Sequence, residues 1–148
     1  MELRRAVVDG VRIQMISGTH VLLLRDAEEA RYLPIPIGPN EASAIAYHLQ
    51  GVTPERPLTH DTALRAIRAL GATLREVRIT EIREETFRAR MLVAPTGGAV
   101  QELDARPSDA VALALRANAP IFISLDLLAA EGIVPEAAEE ERLSLFRE

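Results

Sequence analysis

The segment Val21–Leu24 is an unbroken apolar run, and it constrains the fold more than any other feature of the chain. Side chains of a strand point alternately to two faces, so an unbroken run predicts a strand that is buried on both faces. The turn residues Ser17 and Gly18 precede the run and separate it from another extended segment. The chain must therefore build a sheet in which this strand is covered on both sides.

Extended and helical patterns alternate irregularly along the chain. Extended patterns cover 3–16, 20–25, 31–37, 99–104 and 121–123, and a hairpin with its loop at 83–85 lies among them. Helical patterns cover 40–49, 60–70, 109–117 and 125–130. This order predicts an α+β fold, in which helices pack on a mixed β-sheet.

Pro34 and Pro36 stand two residues apart in one of the extended segments. Each proline lacks a backbone N–H, and this spacing removes both donors from the same side of the strand. The pattern places the strand at an edge of the sheet that can only accept hydrogen bonds. Because this edge is closed and the strands are apolar, we expect a homo-oligomer, most simply a dimer, formed through another edge or a helix face.

The chain has 148 residues, of which 48% are hydrophobic and none is cysteine. This length suits one domain at 1–134, followed by an acidic tail at 135–148 that we expect to form a short helix. The lack of cysteine excludes disulfides, thiolate nucleophiles and Cys-ligated metals. No signal sequence or membrane span is recognisable, so we expect a cytoplasmic protein with no membrane partner.

The charge balance is acidic, although all 17 basic residues are arginine. Acidic residues number 22, which gives a net charge of −5. Indiscriminate duplex binding depends on neutralising phosphates, so this balance disfavours it. Only 3% of the residues are aromatic, which is too few to predict a base-stacking platform. Any contact with nucleic acid must rest on a local group of residues.

Arg56 and Arg106 each stand directly before a proline and a predicted helix. Proline holds the preceding residue in extended geometry, which presents each guanidinium beside a helix N-terminus and so suits a phosphate or a carboxylate. Alternatively, the two arginines pair internally with Asp61, Asp104 or Asp109. The repeated order of strand, Arg-Pro and helix leaves both an internal strand–helix duplication and coincidence open.

His60 and Asp109 lie in the first turns of two predicted helices. His60 is on the apolar face of its helix and points inward, where an imidazole acts as a general base, a metal ligand or a hydrogen-bonded core residue. The helix after Asp109 is apolar on all sides, so its carboxylate must be paired, cap the helix or hold a cation. Asp61 lies one turn from Arg65, and a surface ion pair is the alternative to a catalytic role.

Two further groups of charged residues are candidates for the site. Glu41 is in the first turn of the 40–49 helix, where its ordinary role is to favour the helix dipole. On the hairpin, Arg78, Arg88 and Arg90 share the face opposite the apolar one. They are either solvated side chains or contacts to a nucleic acid backbone.

Three blocks of the chain resemble the bifunctional nuclease family, whose domain was long catalogued as one of unknown function. They are LPIPIGPNEASAIA at Leu33–Ala46, RPLTHD at Arg56–Asp61 and LDARPSDAVALALR at Leu103–Arg116. A TFRARMLV segment lies between the last two, and the resemblance spans Val7–Ile133. It implies a cytoplasmic enzyme that cleaves both DNA and RNA, which would be its partners as substrates.

Together, these observations predict phosphodiester hydrolysis in a pocket where the starts of three helices converge. The catalytic residues we expect are His60, Asp61 and Asp109. The predicted ligands of Mg²⁺ or Mn²⁺ are Glu41, Asp104 and Asp109. The predicted substrate-binding residues are Arg56, Arg106, Arg78, Arg88 and Arg90. The alternative is a non-enzymatic oligomeric scaffold or regulatory module whose polar helix starts bind a small phosphorylated or carboxylated ligand.

Overall fold

Eight strands and four helices make up the described part of the chain, which comprises residues 1–135 together with Phe146 and Arg147. In this computed structural model the strands are β1 (Leu3–Gln14), β2 (His20–Asp26), β3 (Tyr32–Ile37), β4 (Ala72–Arg83), β5 (Thr86–Pro95), β6 (Gln101–Ala105), β7 (Ile121–Ser124) and β8 (Phe146–Arg147). The helices are α1 (Pro39–Leu49), α2 (Thr59–Ala69), α3 (Pro107–Ala117) and α4 (Leu125–Glu131). The predicted tail helix falls largely on 136–145, which lie outside the described residues.

The strands form one mixed sheet in the order β3-β2-β1-β7-β4-β5-β6, and β8 pairs with the end of β1. All neighbours are antiparallel except β4 and β7, which run parallel. The predicted α+β fold with a mixed sheet is confirmed. The apolar run Val21–Leu24 lies in β2, between β1 and β3, and its four side chains are all buried.

Strand β3 lies at one edge of the sheet, as its two prolines predicted. On its outer side, Tyr32 and Ile133 exchange backbone hydrogen bonds of 2.9 and 2.7 Å. Backbone groups alternate along a strand, so Pro34 and Pro36 face the same outer side as Tyr32. The missing N–H groups therefore lie on the free edge of the sheet, and none is lost from the pairing with β2.

Helix α3 lies at the centre of the helical layer, because it contacts α1, α2, β4 and β5. The stretch Ala110–Ala114 is buried throughout, as its apolar sequence predicts. Both α1 and α3 begin with a proline, which needs no N–H partner in the first turn. In the described residues, no helix is both long enough and apolar enough to cross a membrane.

The hairpin between β4 and β5 differs from the prediction in its loop. The turn consists of Glu84 and Glu85 alone, with φ of 51° and 63°, whereas the sequence predicted a longer loop at 83–85. An irregularity between Ile79 and Glu81 then shifts the register by one residue. The shift restores the predicted pairs, so Val77 faces Met91 and the apolar side chains share one face.

A buried carboxylate, Asp26, holds the first three strands together at the end of β2. Its side chain is fully buried and accepts hydrogen bonds from Arg4 in β1 (3.0 Å), from Arg31 just before β3 (3.1 Å) and from the Glu28 N–H (2.9 Å). Burial alone would raise the pKa of Asp26, but these hydrogen bonds outweigh it and lower the pKa below the ordinary aspartate value.

Candidate active site

The starts of α1, α2 and α3 converge on one cavity of about 900 Å³, as the sequence predicted for these helices. We call it the helix-start cavity. Its lining residues are Asn40, Glu41, Ser43, Ala44, Tyr47, Pro57, Leu58, Thr59, His60, Ala63, Arg106, Asp109 and Leu113. Four of them, Glu41, His60, Arg106 and Asp109, were predicted as site residues. The volume is within the range of about 300–1,000 Å³ that is usual for ligand-binding clefts.

Asp109 is the centre of the polar network in this cavity. His60 Nε2 lies 2.9 Å from Asp109 Oδ1, and Arg106 binds Oδ2 through Nε at 2.9 Å and Nη2 at 2.8 Å. Burial alone would raise the pKa of Asp109, but the hydrogen bonds from His60 and Arg106 lower it below the ordinary aspartate value. Asp109 is therefore an ionised carboxylate that orients both neighbours.

Local sequence places each of these side chains at the start of its helix, and helix packing then brings them together. Pro107 begins α3, so Asp109 falls in the first turn and Arg106 just before it. In α2, His60 stands one turn before the buried Leu64 and shares its inward face. Because α2 and α3 pack side by side, the imidazole reaches the carboxylate across the helix interface, and its side chain is only 12% exposed.

Glu41 reaches the same cavity from α1. Its Oε1 lies 3.8 Å from Arg106 Nη1, and its side chain is 19% exposed. A Cβ at Gly38 would overlap the Glu41 carboxylate, so the carboxylate can lie there only because residue 38 is glycine. The glycine in the PIGPN turn is thus part of the site, which the sequence alone did not reveal.

Replacing Gly38 with alanine is expected to displace the Glu41 carboxylate while leaving the fold intact. The backbone at Gly38 has φ of −77°, which alanine adopts freely, and the overlapping atom is the end of a flexible side chain. We expect the melting temperature to change by less than about 3 °C. Any activity that needs the Glu41 carboxylate should fall in Gly38→Ala as much as it does in Glu41→Gln. Normal activity of Gly38→Ala together with impaired activity of Glu41→Gln would contradict this placement.

Asp61 points away from the helix-start cavity. Its Oδ2 accepts the Leu58 N–H at 2.8 Å and closes the start of α2, while its Oδ1 accepts Arg116 Nε at 2.7 Å. The pKa of Asp61 is lowered, first by the hydrogen bond from Leu58 and then by that from Arg116. Arg116 also donates to the Ala44 and Ala112 carbonyls, so this pair joins the three helices and leaves Asp61 outside the lining of the helix-start cavity.

Asp104 and Arg56 do not line the cavity either. Asp104 stands exposed on β6, where its carboxylate lies 3.9 Å from Arg90 in the neighbouring strand. Arg56 is exposed on the loop before α2, next to Pro57 of the cavity wall. The expected neighbourhood of Arg56, His60, Asp104, Arg106 and Asp109 is therefore only partly formed.

The hairpin arginines lie on the far side of the sheet. Arg78 stands opposite Phe122 on one side and Arg90 on the other, whereas the alternate residues Val77 and Ile79 face the helices. Arg88 is on the same strand as Arg90 and two residues from it, so it shares this face. A substrate strand in the helix-start cavity would have to pass around the sheet to reach these arginines.

The predicted metal ligands are also separated. Glu41 and Asp109 both contact Arg106, but Asp104 is elsewhere. Within the described part of the chain, no three His, Asp or Glu side chains converge as a preformed metal site. Any divalent ion here would have to draw further ligands from water or from a substrate.

Sequence reasoning did not identify Tyr47, which lines the helix-start cavity and is 43% exposed. Asn40, Ser43 and Tyr47 recur at helical spacing on the face of α1 that meets the cavity. This spacing could have indicated a polar face of α1 that includes Tyr47, but the helix was interpreted from its apolar residues alone.

A family model of the bifunctional nuclease domain matches residues 22–136. The chain belongs to the bifunctional nuclease domain family. This confirms the resemblance, and the matched region includes every residue of the helix-start cavity.

Relatives of this bifunctional nuclease domain occur in bacteria and plants. The chain is 45% identical over 142 residues to the uncharacterized protein Rv1829 of Mycobacterium tuberculosis, covering 95% of this chain and 84% of that protein. It is 29% identical over 143 residues to bifunctional nuclease 1 of Oryza sativa, covering 81% of this chain and 43% of that protein. The bifunctional nuclease of Oryza minuta matches to the same extent.

Proposed function

We propose that this protein hydrolyses phosphodiester bonds of DNA and RNA in the helix-start cavity. The observation that carries the proposal is the ordered contact of His60, Asp109 and Arg106. With Asp109 accepting the Nε2 proton of His60, the Nδ1 lone pair of the imidazole is left to take a proton. A general base that is oriented by a carboxylate can activate a water molecule, and a neighbouring arginine can bind the anionic ester that the water attacks.

The steps follow from these positions. His60 Nδ1 takes a proton from water as the water oxygen attacks phosphorus, and the bond from phosphorus to the leaving oxygen breaks. The leaving oxygen then receives a proton, from His60 or from solvent. Arg106, whose side chain is 66% exposed, binds the non-bridging oxygens, and Asp109 stabilises the protonated imidazole.

We further propose that a divalent cation, Mg²⁺ or Mn²⁺, takes part. Glu41 and Asp109 carry two negative charges against the single positive charge of Arg106, which leaves one net negative charge beside the phosphodiester. A cation held by the two carboxylates and by phosphate oxygens would offset the repulsion and stabilise developing negative charge. We expect cleavage to stop with chelator and to return with added Mg²⁺ or Mn²⁺.

The proposed function is tested by comparing the cleavage rates of two histidine variants with that of wild type. Wild type, His60→Gln and His48→Gln are incubated with labelled single-stranded DNA and RNA, with metal or with chelator. We expect wild type and His48→Gln to cleave equally, because His48 lies near the end of α1 and does not line the cavity. His60→Gln should cleave at least about 100-fold more slowly. Equal cleavage by all three proteins would indicate a contaminant and reject the proposal, as would no cleavage by wild type.

One observation favours the non-enzymatic alternative, namely that Asp109 is already paired with His60 and Arg106. Such a network could serve as a binding site for a small phosphorylated or carboxylated ligand. Thermal stabilisation by inorganic phosphate or citrate, with no strand cleavage under any metal condition, would favour this alternative.

The cytoplasmic location and the dimer stay predictions. The edge strand β6 carries no proline. Val100 just before it and Leu103 within it are 51% and 42% exposed, so we propose β6 as the contact between two copies. Light scattering should give twice the chain mass of 16.2 kDa for wild type, and a single chain mass for Leu103→Glu. A monomeric wild type at high concentration would reject the dimer.

A further inference from the structure

A second cavity, of about 340 Å³, adjoins the proposed site, and the steps above do not use it. It lies where β3, the tip of the β4–β5 hairpin and the start of α3 meet. Its apolar walls include Ile35, Ile37, Phe87 and Pro107. The polar part of the lining consists of the hydroxyl residues Thr86 and Ser108 and the charged residues Glu85 and Arg106. We call it the Phe87 cavity.

Arg106 lines both cavities. The residue that the proposed function assigns to the phosphate thus belongs to both linings. Each cavity also has one aromatic ring in its lining: half-buried Phe87 on one side and 43% exposed Tyr47 on the other. The chain has only five aromatic residues, and two of them line the cavities that share Arg106.

An arginine between two cavities that each contain an aromatic ring matches the order of groups along a nucleic acid strand, where each phosphate lies between two bases. A base has a flat face that stacks on an aromatic ring and a polar edge that hydrogen-bonds to groups such as Ser108 or Asn40. The bases of a duplex are paired and stacked inside the double helix. They would have to unpair and unstack before they could enter two separate cavities of the protein.

We propose that the protein selects an unpaired strand, with one phosphate at Arg106 and the bases on either side in the Phe87 cavity and against Tyr47. The inference rests on the proposed function in one respect, because it uses the same arginine as the phosphate contact. It adds the substrate class, single-stranded DNA or RNA, and two positioning residues for that substrate.

The test measures binding apart from cleavage. Fluorescence anisotropy is recorded with a labelled single-stranded oligonucleotide, its duplex, and a strand of equal length with abasic positions, in chelator and in Ca²⁺. We expect Phe87→Leu and Tyr47→Leu each to weaken single-strand binding about tenfold, since stacking on an aromatic ring accounts for such an effect. Wild type should bind the duplex and the abasic strand at least about tenfold more weakly.

Matched variants separate the ring from the fold. Phe122→Leu removes a half-buried ring on the far side of the sheet and should bind like wild type. Phe87→Tyr and Tyr47→Phe keep the ring and should restore binding. If Phe87→Tyr and Tyr47→Phe also lose single-strand binding, or if Phe122→Leu loses it as well, the stacking role is overturned.

The inference and the proposed function fail in different ways. If wild type cleaves nucleic acid but Phe87→Leu and Tyr47→Leu bind and cleave single strands and duplexes as wild type does, the inference is overturned and the nuclease stands. If binding depends on both rings but no metal supports cleavage, the strand-binding inference stands and the nuclease fails. Wild type that does not bind the single strand under either condition also overturns the inference.

Discussion

Replacing Asp109 with asparagine is expected to slow strand cleavage by about 10²- to 10⁴-fold. The amide keeps the size of the side chain but loses the charge that stabilises a protonated His60. It also presents an N–H₂ donor, which favours the wrong tautomer of the imidazole, and it weakens the hold on Arg106. Initial rates on a labelled single strand, at saturating metal, measure the effect.

The matched control is Asp104→Asn, the same substitution on the strand that precedes α3. Asp104 is 64% exposed and pairs only loosely with Arg90, so its loss should leave the cleavage rate within about twofold of wild type. This control also tests the sequence-based prediction that Asp104 is a metal ligand. Should Asp104→Asn be as slow as Asp109→Asn, the site drawn around the helix-start cavity would be wrong.

Replacing Asp26 with asparagine is expected to lower the free energy of unfolding by about 3 kcal/mol. The substitution leaves Arg4 and Arg31 without the buried carboxylate that they share. The low end of the usual range applies, because the two arginine side chains remain 19% and 18% exposed. Urea unfolding followed by circular dichroism gives the difference, and cleavage by the folded variant should be unchanged.

The effect of Asp26 should depend on pH. Its pKa is lowered in the folded protein, so the ionised form stabilises the native state. That contribution is complete above about pH 4, the unfolded aspartate value, and is lost as the pH falls through the lowered native pKa. The difference in the free energy of unfolding between wild type and Asp26→Asn should therefore become smaller in acid.

The control for the Asp26 variant is Asp9→Asn, which removes a partly exposed partner of Arg12. This substitution should lower the free energy of unfolding by less than about 1 kcal/mol.

Much of the fold followed from local patterns. The apolar run in β2 and the two prolines of β3 lie where their chemistry predicted. Helices α1 and α3 begin one and two residues before the predicted starts at 40 and 109, because each includes a proline in its first turn. These features could be recognised because each depends on a residue's own backbone and on its neighbours a few positions away. The hairpin shows the limit, since its face was predicted correctly but its turn and irregularity were not.

The candidate site was also predictable only in part from the sequence. Local rules identified His60, Arg106, Asp109 and Glu41 as polar groups at helix starts, where free N–H groups and proline geometry collect such side chains. They could not distinguish Asp61 from Asp109, because both are acids in a first turn. That difference depends on which distant arginine each carboxylate meets, Arg116 or Arg106.

The remaining features of the site depend on contacts between residues that are far apart in the chain. The packing of α2 against α3 brings His60 to Asp109 across 49 positions. The approach of β3 to the hairpin tip creates the Phe87 cavity, and the register of β4 and β7 sends Arg78 to the far face. Periodicity in a sequence records which side of an element is buried, but the angle and register at which two elements meet depend on the whole core.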